Sequence, residues 1–243
     1  MKTRFFFAAC FLTITSVLLT SETIAKEPGK LIFSDDFSRN ESQELTDEVG
    51  NGWGTNSAKR AGGNKQVDLK DGTMRIYIHE TADHGVSVTH PVEFRDGRVE
   101  IKFMLEHEKD SLGLNFADQQ YKKVWAGHLF KVIIGAKQTV LTDLKTGVMD
   151  LKIREARQAK TLTVAQQKIL KTKSKRIPHM LKKGKWYIAV AKITGDKLSV
   201  SIDGKVVGSF SSEGIAHPTK RMLRLAVNRN VVVDDLKIYS QGM

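Results

Sequence analysis

Arg98-Val99-Glu100-Ile101-Lys102-Phe103-Met104-Leu105 carries an apolar side chain at every second position. A strand sends successive side chains to opposite faces, so this stretch reads as a strand with one face in a core and the other in water. The same period recurs in both directions along the chain. Met74, Ile76 and Ile78 alternate with Arg75, Tyr77 and His79, and Leu112, Leu114 and Phe116 alternate with Ser111, Gly113 and Asn115. Leu198, Val200 and Ile202 alternate with Lys197, Ser199 and Ser201. Further strands are expected at 31–34, 86–90, 128–135, 139–144, 186–193, 206–210, 222–227 and 232–239. Asp71-Gly72, Asp96-Gly97, Gly195-Asp196 and Asp203-Gly204 fall between such runs and read as hairpin turns, whose backbone favours residues that accept positive φ. Short strands at this density predict an all-β fold, a two-sheet antiparallel sandwich formed by a single domain over residues 26–243.

Residues 149–184 break the pattern. Leu151, Ile153, Ala156, Val164, Ile169 and Leu170 are spaced for an interrupted amphipathic helix. Residues 152–185 also hold twelve Lys and Arg against Glu155 alone, a local +11 that accounts for nearly all of the chain's net +12. The segment is therefore expected to be a basic, partly helical excursion, too short to own a core. The charge is a surface patch rather than a property of the fold, and no nucleic-acid motif or aromatic interleaving accompanies it. Nucleic acid is excluded as the expected partner.

The first residues read as a targeting signal. Lys2 and Arg4 precede an apolar run from Phe5 to Leu12, and Thr23 and Ala25 stand where a signal peptidase reads small residues. Residues 1–25 are expected to be a signal peptide, and the protein to be exported, to the periplasm or beyond. Phe7-Ala8-Ala9-Cys10 is a poor lipobox, because cleavage there would leave almost no apolar region. The part after Ala25 has no cysteine, which removes disulfides and thiolate metal sites together. It has no other apolar stretch near the ~20 residues that span a bilayer.

Two regions resemble a known family. One is Gly184-Lys185-Trp186-Tyr187 with the hairpin Gly195 to Val207 through Asp203-Gly204-Lys205, and the closing Val233-Asp234-Asp235-Leu236-Lys237-Ile238. The other is Phe33-Ser34-Asp35-Asp36-Phe37 with Gly52-Trp53-Gly54. These resemble the concanavalin A-like lectin/glucanase superfamily, and most closely its exported bacterial 3-keto-disaccharide hydrolase-like members, related to family 16 glycoside hydrolases. The resemblance implies a jelly-roll sandwich that binds or processes carbohydrate. It also exposes a departure: retaining family 16 glucanases carry E-x-D-x-x-E on one strand, and no such triplet occurs here. Retaining cleavage by that route needs two carboxyls ~5–5.5 Å apart.

Candidate site residues come from polar strand faces and loops. Arg75, Tyr77, Lys102 and Asn115 are candidate sugar contacts, provided that their strands share one concave sheet. Trp53, flanked by glycines, is read either as an exposed stacking platform for a sugar or as a plug sealing one end of the sandwich. Glu100 and Asp118 are candidate acid/base carboxylates, with His79 or His84 as helpers. His84 and His90 share a strand side but sit ~20 Å apart, too far for a common metal. His128 reads as a core or edge histidine, and Trp186 as core. No metal or cofactor is expected, since no acidic run has calcium-loop spacing. The expected partner is carbohydrate. The alternative is a non-catalytic envelope or adhesion module docking an acidic polysaccharide or cell surface through 149–184.

Overall fold

The computed structural model describes residues 29–241; the expected signal peptide lies outside them. Along the chain run β1 (Lys30–Asp35), β2 (Gly54–Thr55), β3 (Val67–Lys70), β4 (Thr73–Tyr77) and β5 (Val86–Phe94). There follow β6 (Asp96–Met104), β7 (Ser111–Ala117), β8 (His128–Gly135), β9 (Gln138–Asp143) and β10 (Ser174–Pro178). The last five are β11 (Trp186–Thr194), β12 (Lys197–Ile202), β13 (Lys205–Ser211), β14 (Lys220–Val227) and β15 (Asn230–Gln241). Three short helices accompany them: α1 (Ser57–Arg60), α2 (Leu151–Gln158) and α3 (Val164–Thr172).

Two antiparallel sheets form. One runs β13-β12-β11-β6-β15-β4-β3 with β1 added alongside β15; the other runs β10-β9-β8-β7-β14-β5-β2. The alternation decides what lies between them. Val99, Ile101 and Phe103 of β6 face inward with Leu112, Leu114 and Phe116 of β7, and all six are fully buried in one continuous core. Their polar neighbours are left on the outer faces, as in any sheet with one face packed and one wet.

β15 serves three partners because it is broken by a bulge. Its first residues pair with β4, its later ones pair with β1, and the register against β6 shifts between Asp234 and Lys237. Asp235 takes a positive φ of 46° there. The turns at Asp71-Gly72 and Asp203-Gly204 have positive φ at both residues, as tight hairpins require. Asp96-Gly97 is different. It opens β6 immediately after β5 has ended in the other sheet, so it is a corner between sheets and not a hairpin. A Cβ on Gly97 would come within 2.1 Å of the Tyr239 carbonyl oxygen, which is why glycine stands there.

The excursion is shorter than the charge pattern predicts. Only α2 and α3 leave the sandwich; Ser174–Pro178 returns as the edge strand β10, paired along β9. α2 is capped by Asp150 and α3 by a Thr163–Gln166 capping box, so local hydrogen bonds hold helices that bury little beyond Ile153.

The start of the chain is tied down by one carboxylate. Asp35 is buried and accepts from the Phe37 N–H (2.8 Å), Arg39 Nη1 (2.7 Å), Asn51 Nδ2 (2.9 Å) and the Trp53 indole Nε1 (2.8 Å). Burial opposes its charge, but the bonds from Arg39, Asn51, the Phe37 N–H and Trp53 outweigh that and hold its pKa below the usual carboxylate range. Trp53 is 8% exposed and packs against Phe33, Phe37 and His90. It is the plug, not a stacking platform: its glycine neighbours serve the backbone, with Gly50, Asn51 and Gly52 all at positive φ.

Two outcomes are expected. Asp35→Ala strands four donors, one of them a guanidinium, and lowers unfolding free energy by about 3–5 kcal/mol in urea titrations; a loss under 1 kcal/mol would contradict the anchor role. The second concerns acid. Burial lowers the pKa of His90 and His217 below that of an unfolded histidine. The unfolded chain then binds protons first as pH falls through ~6.5, so stability declines below that pH. Calorimetric Tm values from pH 7 to 5 should fall, and less steeply in His90→Phe, which keeps the ring stack without the titrating group.

Candidate functional site

The outer face of the seven-stranded sheet is ruled into rows by the strand register. Thr89 of β5, Arg224 of β14, Asn115 of β7, Lys131 of β8, Thr142 of β9 and Ser174 of β10 are successive cross-strand partners. At ~4.8 Å per strand, this polar row spans about 24 Å at right angles to the strands. Beside it runs a second row: Ser87, Ala226, Gly113, Ile133, Val140 and Arg176. Its middle is small or apolar. A Cβ on Gly113 would lie 2.8 Å from the Ala226 carbonyl oxygen, so the strand backbones approach closely here with no side chain standing between them. The result is a shelf of hydrogen-bonding groups flanked by a smooth strip, suited to a ligand with polar edges and C–H faces.

The polar row is dense with positive charge. Arg224 is buried; its Nη2 donates to the Ala126 carbonyl (2.7 Å) and its Nη1 lies 2.9 Å from His128 Nδ1. The Asn115 amide also reaches that nitrogen, at 3.0 Å. Arg224 Nη1 is equally near the other ring nitrogen, Nε2, at 3.0 Å, so the guanidinium lies against the imidazole as a whole. Burial, then the charges on Arg224 and Lys131, bring the His128 pKa down to about 3, so the ring stays uncharged at ordinary pH. Burial lowers the pKa of Lys131 and Arg224 as well. No carboxylate pairs with either cation among the described residues. Beside Ala126 in the same turn, Trp125 is 49% exposed, with the Arg154 guanidinium of α2 3.7 Å above its ring. A cleft of about 260 Å³ opens there between Trp125, Tyr121 and Leu151.

The structure distributes the sequence candidates over several places. Arg75, Tyr77, Glu100 and Lys102 share the outer face of the eight-stranded sheet, while Asn115 lies on the opposite face of the sandwich. The single concave sheet assumed for them does not exist. On their own face the charges satisfy one another: Arg75 forms a bidentate pair with Glu106, Lys102 binds Asp234 (2.7 Å), and Arg98 lies between Glu100 and the Tyr239 ring. Asp118 is buried at the end of β7, where it accepts from His217 Nε2 (3.1 Å), Arg221 Nη1 (2.7 Å) and the Gln120 N–H (2.9 Å). Burial works against its ionisation, but the His217 bond, the Gln120 bond and the Arg221 charge prevail and keep its pKa low. A carboxylate so held stays ionised and is a poor proton donor. Glu100 and Asp118 are not brought together. His79 turns back on Thr81, and the exposed His84 donates to its neighbour's carbonyl, Gly85 O.

Sequence reasoning passed over Trp125, Lys131 and Arg224. Alternation marks the last two as outward, since Lys131 is followed by Val132 and Arg224 lies between Leu223 and Leu225. Trp125 is followed by Ala126-Gly127, a turn signal that points to exposure. The nearest approach to a metal cluster, Glu41, Glu44 and Asp68, has the Lys65 ammonium at its centre, 2.8 Å from Glu41 and 2.7 Å from Asp68. A lysine holds the position a cation would take.

No protein-family model matches the chain, and no curated protein matches it. Solved structures do. A laminarinase from Rhodothermus marinus is 12% identical with a TM-score of 0.59, covering 88% of this chain and 98% of its own. A family 66 carbohydrate-binding module from Bacillus subtilis is 11% identical with a TM-score of 0.51, covering 78% and 96%. An endo-β-galactosidase from Clostridium perfringens, which releases GlcNAcα1-4Gal, is 10% identical with a TM-score of 0.58, covering 88% of this chain; the chain spans 64% of that protein. At such identities the likeness is one of fold, and the fold of this chain is the concanavalin A-like jelly roll.

Proposed function

We propose that this domain binds poly- or oligosaccharide along the outer face of its seven-stranded sheet, as an exported carbohydrate-binding module. The observation that supports the reading is the pair of rows across that face: one supplies donors and acceptors from Thr89 to Ser174, the other a smooth strip through Ala226, Gly113 and Ile133. Pyranose rings present hydroxyls at their rims and C–H groups on their faces, and an exposed indole such as Trp125 stacks on the latter. That neighbours in fold include glucanases and a carbohydrate-binding module adds to the reading.

Binding is preferred to hydrolysis on chemical grounds. The outward positions of β7 are Ser111, Gly113, Asn115 and Ala117, and none is a carboxyl group. Two-carboxyl cleavage has no pair on β7 itself, and the nearest carboxylates, Glu93 and Asp118, are both tied to Arg221. The alternative reading, docking of an acidic surface by the basic helices, rests on α2 and α3, whose Lys and Arg side chains extend from helices that bury little.

Substitution separates the two readings. Ala226→Trp fills the smooth row without touching the core, and Lys168→Gln with Lys171→Gln discharges α3. On an array of neutral and acidic oligosaccharides, Ala226→Trp is expected to weaken retained glycans by at least about ten-fold, or roughly 1.4 kcal/mol. The helix double variant is expected to bind as the parent does, with both variants melting near it. The reverse pattern would assign recognition to the helices.

A further inference from the structure

We infer that the trough selects acidic sugars, seating a carboxylate or sulfate substituent over Asn115 between Arg224 and Lys131. The inference rests on the carbohydrate reading of this face and narrows it to a substrate class.

The argument begins with what is missing around two cations. Arg224 on β14 and Lys131 on β8 flank Asn115 directly in the polar row, one strand away on either side. The Arg224 guanidinium is nearly buried, yet its partners are a carbonyl, a thioether and a neutral imidazole. Lys131 is half-buried on the sheet surface, and burial is the influence that shifts it. Elsewhere on the molecule Lys65 sits among three carboxylates and Arg39 grips Asp35, while Lys220, fully buried inside the domain, is held by the Arg95 and His217 carbonyls. Desolvating a cation without a counter-charge costs several kcal/mol. A fold tolerates this where an anion arrives from outside and converts the cost into affinity.

Geometry sets the size of the anion. Strand spacing places the Arg224 and Lys131 Cα atoms about 10 Å apart across Asn115. A gap of that width fits a single planar carboxylate or tetrahedral sulfate over Asn115, with the Arg224 guanidinium on the side of Ala126 and His128 and Lys131 on the strand beyond. Gly113 and Ala226, next along their strands, leave room for the ring that carries the group. Arg224 Nη1 already leans on His128, which stays neutral and adds no third positive charge.

The basic helices supply a different electrostatic feature. Their lysines are exposed, whereas Arg224 and Lys131 are held on strands of the sheet. A group held in the trough is therefore read by position, and a polyanion on the helices by charge density alone.

Lys131→Met isolates the site. It removes the ammonium and keeps an unbranched stem, and because an uncompensated charge disappears, the variant should melt at or above the parent temperature. Calorimetric titrations would use a uronic-acid oligosaccharide, a sulfated oligosaccharide, a neutral β-glucan oligosaccharide of equal length, and inorganic sulfate. The parent is expected to bind one of the two acidic sugars at least about ten-fold more tightly than the neutral one, and the arm that wins names the anion. Lys131→Met is expected to weaken the acidic sugar at least about ten-fold and so to erase that preference. Equal affinity for acidic and neutral sugars, with Ala226→Trp still blocking both, would overturn the acidic selectivity and keep the trough. An acidic preference that survives Lys131→Met and vanishes in Lys168→Gln with Lys171→Gln would move it to the helices. Binding of inorganic sulfate alone, with no oligosaccharide bound, would end both readings.

Discussion

Every strand in this domain commits half of its side chains to one dry layer, and that constraint determines what is free to do chemistry. Two sheets pack about 10 Å apart, and the inward positions of β6 and β7 are filled by Val99, Ile101, Phe103, Leu112, Leu114 and Phe116 without exposure. Slipping any strand by one residue would put Glu100 or Asn115 in the core, so register is fixed by hydrophobic burial. Once it is fixed, the outward residues of neighbouring strands are aligned whether or not they interact. The polar row from Thr89 to Ser174 is a consequence of packing on the other side of the same backbone.

The two outer faces solve their electrostatics differently. On the eight-stranded sheet, three of the outward cations meet anions or rings: Arg75 with Glu106, Lys102 with Asp234 and Trp186, Arg98 with Tyr239. On the seven-stranded sheet, Arg224, Lys131 and the neutral His128 stand without a carboxylate. A face with its charges already paired is inert, and one with buried charges left open is poised to bind. The proposed binding face is therefore the second sheet, even though the first holds more of the polar residues that alternation marks out.

The fold was legible in the sequence because period-two burial is a local property. All twelve expected strands form; those overlooked are short or poorly patterned. β2 has two residues and β3 four, and β10 offers Ile177 as its one apolar inward side chain in a run of charges. The Asp96-Gly97 corner shows the limit from the other side: a turn signal reports backbone freedom, not whether the chain folds back or crosses to another layer. The site was less legible for a related reason. Alternation says that Arg75, Glu100 and Asn115 all point outward, but it is silent on which sheet each strand joins, and that depends on pairings far apart in sequence, such as β7 with β14. Trp53 misleads similarly, since its glycines answer to positive φ in the loop that Asp35 anchors.

The absence of carboxylates from the trough bears on more than catalysis. In a groove lined by acids, a uronate or sulfate ester would meet repulsion in a partly desolvated setting, where the attraction or repulsion of single charges is worth more than in bulk water. Here the same positions present Asn115 between two cations. The outward residues of one strand thus shape what the surface can admit. Because Lys131 and Arg224 extend from the two register-locked strands that flank β7 rather than from loops, little ordering is left to be done when an anion binds. Discrimination between charged and neutral sugars then comes from a cost the folded protein already carries, which the neutral sugar leaves unrelieved.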